Sequence, residues 1–240
     1  TSSENPWFAK AFVNRLWSEL TGEGFCEPVD DLGPDRECVA PQTFDRLAAA
    51  FTASGYDPKW LFRCILATEA YQRESRSRRS AESPAFAAAC AQRLRSDQLF
   101  DSLLTALNLE GRLPPQRTGP GPVPRRDPRF QFAQVFGYDP SEPREDVAAS
   151  VPQALALMNH PMFNQAMSAR RPDGLGGILA RNPDNRAALV ELYLQVLGRQ
   201  PTDAEQRTCL SYIRRVGSRP EAFEDILWSL VNCTEFLYRK

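Results

Sequence analysis

Four polar side chains near the amino terminus have the types and spacing to do chemistry. Asn14 and Arg15 lie in NPWFAKAFVNRLW (residues 5–17), and Asp30 and Asp31 follow in GEGFCEPVDDLG (residues 22–33). A guanidinium binds a carboxylate or a phosphate through two parallel hydrogen bonds. Asn14 and Arg15 could therefore form a polar pair that clamps an external ligand. Alternatively, Arg15 anchors the loop through a bidentate bond to Asp30 or Asp31; we favour this interpretation, because half-buried arginines more often satisfy a neighbour.

A catalytic alternative adds Tyr71, in TEAYQRES (residues 68–75), to this group. Two carboxylates on either side of a cleft are the arrangement that glycosidases use. An enzyme or ligand-binding domain of unfamiliar type, acting on anionic polysaccharide, would place Arg15, Asp30, Asp31 and Tyr71 around such a cleft. We keep Asn14, Arg15, Asp30, Asp31 and Tyr71 as candidate ligand-binding residues. No catalytic residue can be assigned.

The sequence favours neither a metal nor a cofactor. Two adjacent aspartates do not match the spacing of a calcium-binding loop, and a single histidine, His160, excludes a zinc site built from several imidazoles. The six cysteines contain no CxxC and no CxxCH, so a zinc ribbon and covalent haem attachment are not expected. Cys26 and Cys38 flank a loop and could form a disulfide, although spacing alone leaves the connectivity open.

Charge argues against nucleic acid and membrane as partners. The net charge is -1, so no overall field attracts polyanions or anionic lipid. The 26 arginines against 3 lysines are compatible with carboxylate or phosphate recognition, but the Arg-rich stretch after Tyr71 is diluted by glutamates and lacks a broad basic face. There is no run of 18 apolar residues. We expect no nucleic-acid binding and no membrane insertion by this segment.

The elements that must position the candidate residues are helices. With 28 Ala and 25 Leu against 11 Val and 4 Ile, the composition favours an all-α fold. Asn5 and Pro6 predict the start of the first helix. Six residues cover about half its circumference and predict its buried side: Phe8, Phe12, Val13, Leu16, Trp17 and Leu20. Tyr71 is expected on a third helix that starts at Pro58.

The predicted architecture is an irregular compact bundle of about nine helices. Six prolines between residues 112 and 128 predict an exposed connector between an N-terminal lobe (residues 1–111) and a C-terminal lobe (residues 129–240), within one integrated domain. A further helix is expected at residues 150–159, ahead of His160.

The chain resembles a known family over most of its length. The segments at residues 5–17, 22–33 and 68–75, together with RLRSDQLFDSLLTALNL (93–109), SVPQALALMNHPMFNQAMS (150–168) and ELYLQVLGRQPTDAE (191–205), resemble the C-terminal domain of large planctomycete cytochrome-associated secreted proteins. That planctomycete-specific domain has no assigned activity. The resemblance implies a fragment of a longer, extracytoplasmic (periplasmic or cell-surface) chain. It brings no catalytic residues and places no haem in these residues.

These observations favour a non-catalytic interaction or docking module over an enzyme. No recognisable nucleophile–base pair accompanies the apolar helices. The expected partners are other domains of the same longer chain or a cell-surface protein. The alternative, an enzyme or ligand-binding domain around Arg15 and Asp30, would need a cleft that leaves those charges open to a ligand.

Overall fold

The computed structural model describes residues 5–33, 35–73, 75–76, 84–90, 92–112, 127–137 and 161–239. The fold is all-α, as predicted. Instead of the expected nine or so, the described residues form twelve α-helices: α1 (Pro6–Thr21), α2 (Pro41–Ala53), α3 (Pro58–Leu66), α4 (Glu69–Gln72), α5 (Ser96–Ala106), α6 (Pro128–Phe136), α7 (Pro161–Met167), α8 (Leu175–Arg181), α9 (Asn185–Leu197), α10 (Asp203–Val216), α11 (Arg219–Val231) and α12 (Thr234–Leu237). A 3₁₀ turn spans Glu110–Arg112.

Strands contribute little to the described residues. Four two-residue strands are present: β1 (Ser75–Arg76), β2 (Ala89–Cys90), β3 (Gln92–Arg93) and β4 (Tyr238–Arg239). The first two pair in parallel, and the last two form a second pair. Most of the predicted connector at residues 112–128, the helix predicted at residues 150–159 and His160 lie outside the described residues.

The chain divides into two compact units. Among the described residues, the first unit holds residues 5–92 and the second holds residues 93–137 and 161–239. The division falls between Gln92 and Arg93, whereas the sequence places its connector at residues 112–128. All five candidate residues belong to the first unit.

Aromatic side chains fill the core of the first unit. Phe25 lies 4.5 Å from the Trp17 ring and 5.0 Å from the Phe44 ring, measured between centroids. Leu61 and Ile65 bring α3 into the same cluster. The two residues are four apart, so one side of this short helix faces the core. This packing makes α1 the central support on which residues 22–40 rest.

The third helix is shorter than the sequence predicts. It ends at Leu66, and α4 begins after Thr68, whose hydroxyl accepts from the Tyr71 N–H at 3.3 Å. The same hydroxyl donates to the Ile65 carbonyl at 2.7 Å. The Thr68 hydroxyl thus bonds one backbone group at the end of α3 and another at the start of α4, and the predicted single helix is divided into two. Tyr71 therefore lies on α4 rather than on the third helix.

All eight helices from α5 to α12 contribute buried residues to the core of the second unit. Its aromatic centre is Phe100, whose ring meets Phe132 and Phe163 edge-on, with centroids 5.2 and 6.0 Å apart. Edge-on pairs of this kind add to the stabilisation from burial. Ala188, Leu189 and Phe223 are fully buried beside them.

An ionic clamp joins α10 to α12 in the second unit. The guanidinium of Arg199 binds both carboxylate oxygens of Glu205, at 2.9 and 2.8 Å, and both oxygens of Glu235, at 2.8 and 2.6 Å. Glu205 also closes a capping box with Thr202 at the start of α10. The hydrogen bonds from Arg199, followed by those from Thr202, lower the pKa of Glu205 to about 2.

This clamp predicts a specific acid dependence of stability. The folded-state pKa of Glu205 lies below its ordinary 4.5, so its contribution is complete above pH 4.5 and is lost as the pH falls toward about 2. We expect Glu205→Gln to flatten the fall in unfolding free energy across that window, measured by urea unfolding between pH 2 and 6. Asp203→Asn, a change in the same first turn outside the clamp, serves as the control. An unchanged pH slope in Glu205→Gln would contradict the assignment.

Candidate functional site

Asn14 organises the loop that follows α1. It is fully buried, and its amide makes four hydrogen bonds to that loop. Its oxygen accepts from the backbone N–H groups of Phe25 and Cys26, at 2.8 and 3.1 Å. Its nitrogen donates to the carbonyls of Cys26 and Val29, both at 2.9 Å. All four hydrogen-bonding positions of the amide are therefore occupied within the chain, and none is left for a ligand.

Close approach of the loop to Asn14 explains the glycine at position 24. A Cβ on Gly24 would lie 2.9 Å from the Cys26 carbonyl oxygen and 3.1 Å from the Asn14 side-chain oxygen. The Gly24 N–H also donates to the Glu27 carboxylate at 2.7 Å. The segment from 24 to 29 is thus held against α1 with little room for change.

Arg15 pairs with Asp30 in the bidentate manner that the sequence favoured. Its Nε donates to one carboxylate oxygen at 3.1 Å and its Nη2 to the other at 2.5 Å. Both side chains are exposed, at 57% and 41% of their surface. Exposed pairs contribute little to stability. This pair fixes the direction of the loop tip and satisfies the charge of Arg15 without a ligand.

Asp31 has a different partner. Its carboxylate accepts from Arg36 Nε at 2.7 Å and from the Gly33 N–H at 3.2 Å. The hydrogen bond from Arg36, then that from Gly33, lowers the pKa of Asp31. The two adjacent aspartates are therefore bound to two different arginines. Such a division suits a loop that is stabilised from within and argues against a shared metal or a paired catalytic role for the carboxylates.

A disulfide closes the same loop. Cys26 and Cys38 are bonded, twelve positions apart, and the backbone beside them pairs directly, with Val39 N–H donating to Phe25 C=O at 2.6 Å. The sequence left this pairing open. Together, the amide of Asn14, two ion pairs and a covalent bridge cross-link the loop at residues 22–40, whose described residues form no helix or strand.

Tyr71 stands apart from the other four candidates in its environment. It lies on the single-turn helix α4 and is 38% exposed. The structure thus brings Asn14, Arg15 and Asp30 together in one contact network and places Asp31 next to it. It records no hydrogen bond from the Tyr71 side chain to that network in the described residues.

The feature that the sequence missed is the exposure of three aromatic residues in the first half of α1. The predicted buried arc included Phe8 and Phe12, but these side chains are 43% and 36% exposed, and Trp7 is 52% exposed. We call Trp7, Phe8 and Phe12 the aromatic face. Phe12 stacks on Phe51 at 5.2 Å, and Phe8 meets Tyr56 edge-on at 5.5 Å.

In place of Phe8 and Phe12, α1 buries three polar residues. Asn14, Ser18 and Thr21 are each at most 3% exposed. Thr21 donates to its own helix, at the Trp17 carbonyl, and the Ser18 carbonyl accepts from Gln92 at 3.0 Å. The signal that could have revealed this was Asn14 itself, a polar residue with poor helix propensity in mid-helix beside an irregular loop.

Other features of the described residues offer no alternative centre. No group of three or more His, Cys, Asp and Glu side chains in the described part of the chain is placed to hold a metal ion. Across the same residues, every helix is too short or too polar to cross a membrane. A groove of about 480 Å³ in the second unit contains Asp101 and Glu235, but Arg129 and Arg199 already bind those carboxylates.

Comparison with known proteins identifies a family but no activity. The model of the family described as "PSD1: Protein of unknown function (DUF1553)" matches residues 1–134, which is more than half of the 240-residue chain. This range includes the aromatic face, the loop at residues 22–40 and every candidate residue. No curated protein and no solved structure matches the chain.

Proposed function

The chain belongs to the PSD1 family of proteins of unknown function (DUF1553), and from the geometry of its own residues we propose that it is a non-catalytic docking module. It is part of a larger extracytoplasmic multidomain protein, and its partner is another domain of that same longer chain. The resemblance to the C-terminal domain of planctomycete cytochrome-associated proteins supports this choice of partner, since that domain lies at the end of such a chain. The disulfide between Cys26 and Cys38 supports an oxidising compartment.

One observation carries the proposal. The first helix buries Asn14, Ser18 and Thr21, while Trp7, Phe8 and Phe12 keep 52%, 43% and 36% of their surface exposed. Solvent-exposed aromatic clusters are unfavourable for an isolated domain and are enriched in interfaces. Covering the aromatic face with a partner surface is therefore more favourable than leaving it exposed to water.

The polar candidates support docking rather than catalysis. The amide of Asn14 has no free hydrogen-bonding position, and Arg15 and Asp30 bind each other. An anionic polysaccharide would have to compete with Asp30 for the Nε and Nη2 donors of Arg15. These bonds tie the loop to α1, and preorganisation of this kind lowers the entropic cost of binding.

The charges near the aromatic face are also balanced. Lys10 Nζ lies 2.7 Å from an Asp45 oxygen, and Arg15 is held by Asp30. A face whose charged neighbours are already paired fits an apolar, uncharged surface on the partner. Association through it is expected to depend only weakly on salt, because no long-range attraction drives it.

The test measures binding between this chain and the remainder of the longer protein. We expect Phe8→Ser with Phe12→Ser to weaken the association by about 30- to 900-fold, since each of the two covered rings contributes roughly 1–2 kcal/mol. Isothermal titration calorimetry gives the affinities, and far-UV circular dichroism checks folding. Trp7→Ser, which removes the most exposed ring of the face, is the second variant.

Phe130→Ser is the matched control, because Phe130 is 36% exposed, as Phe12 is, but lies in the second unit. We expect it to bind as the unmodified chain does. Unchanged affinity in both the Phe8–Phe12 and the Trp7 variants would overturn the proposal. Binding only to a separate cell-surface protein would overturn the choice of partner, and turnover of a defined substrate by the isolated chain would overturn the non-catalytic role.

A further inference from the structure

We draw no further inference here: the strongest candidate, the shallow apolar groove of about 470 Å³ over the exposed side of α9, where Ala187, Val190 and Leu194 lie, carries none because nothing in the structure shows what covers it.

Discussion

Replacing Asn14 with alanine is expected to lower the free energy of unfolding by about 4 kcal/mol, because several buried backbone groups lose their only side-chain partner at once. The variant leaves the N–H groups of Phe25 and Cys26 and the carbonyls of Cys26 and Val29 without the bonds that the amide provides. Urea unfolding followed by tryptophan fluorescence measures the loss, since Trp17 lies in the same core.

Two further variants make this result specific to Asn14. Asn14→Asp keeps an acceptor for the two N–H groups but removes both donors and buries a charge, so it is also expected to be strongly destabilising. Asn232→Ala removes a half-buried amide with one bond, to the Trp228 carbonyl at 2.8 Å, and is expected to cost about 1 kcal/mol. Equal losses in Asn14→Ala and Asn232→Ala would show that Asn14 does not organise the loop.

The second large effect is expected from removal of the disulfide between Cys26 and Cys38. The bridge closes a loop of twelve positions, and opening such a loop costs about 3 kcal/mol through the greater freedom of the unfolded chain. We therefore expect the Cys26→Ser, Cys38→Ser double variant to unfold at a lower urea concentration. Its far-UV circular dichroism should match that of the unmodified chain, because the described residues of the loop form no helix or strand.

Cys64→Ser provides the control for this effect. Cys64 is a free, partly buried thiol in the same unit, so its replacement changes a cysteine without opening a loop. A thiol count on the denatured, unreduced chain checks the bridge itself. Equal unfolding midpoints for the double variant and Cys64→Ser would contradict a stabilising bridge.

The fold class could be predicted from sequence because it depends on local signals. Asn5 and Asp57 cap their helices through the Trp7 and Lys59 N–H groups, at the two helix starts that the sequence places at Pro6 and Pro58. The capping box at Thr202 and Glu205 is another signal of this local kind. These signals act within a few residues, so composition and spacing are enough to find them.

The candidate site was harder to predict because its form depends on tertiary contacts. Periodicity placed Phe8 and Phe12 on the buried side of α1, but it contains no information on which side the loop at residues 22–40 covers. The loop pairs with Asn14 and buries this polar residue, whereas Phe8 and Phe12 stay partly exposed. A pairing of Arg15 with Asp30 or Asp31 was predictable, because the groups are charged and the loop is short, but the choice of Asp30 was not.

The most direct test of the docking proposal is the accessibility of the aromatic face in the longer protein. Hydroxyl-radical footprinting with mass spectrometry measures the oxidation rates of Trp7, Phe8 and Phe12 in the isolated chain and in the full-length protein, with Phe130 as the internal reference. We predict rapid oxidation of all three rings in the isolated chain and strong protection in the full-length protein, with Phe130 unchanged. Equal oxidation of the three rings in both samples would contradict the proposal.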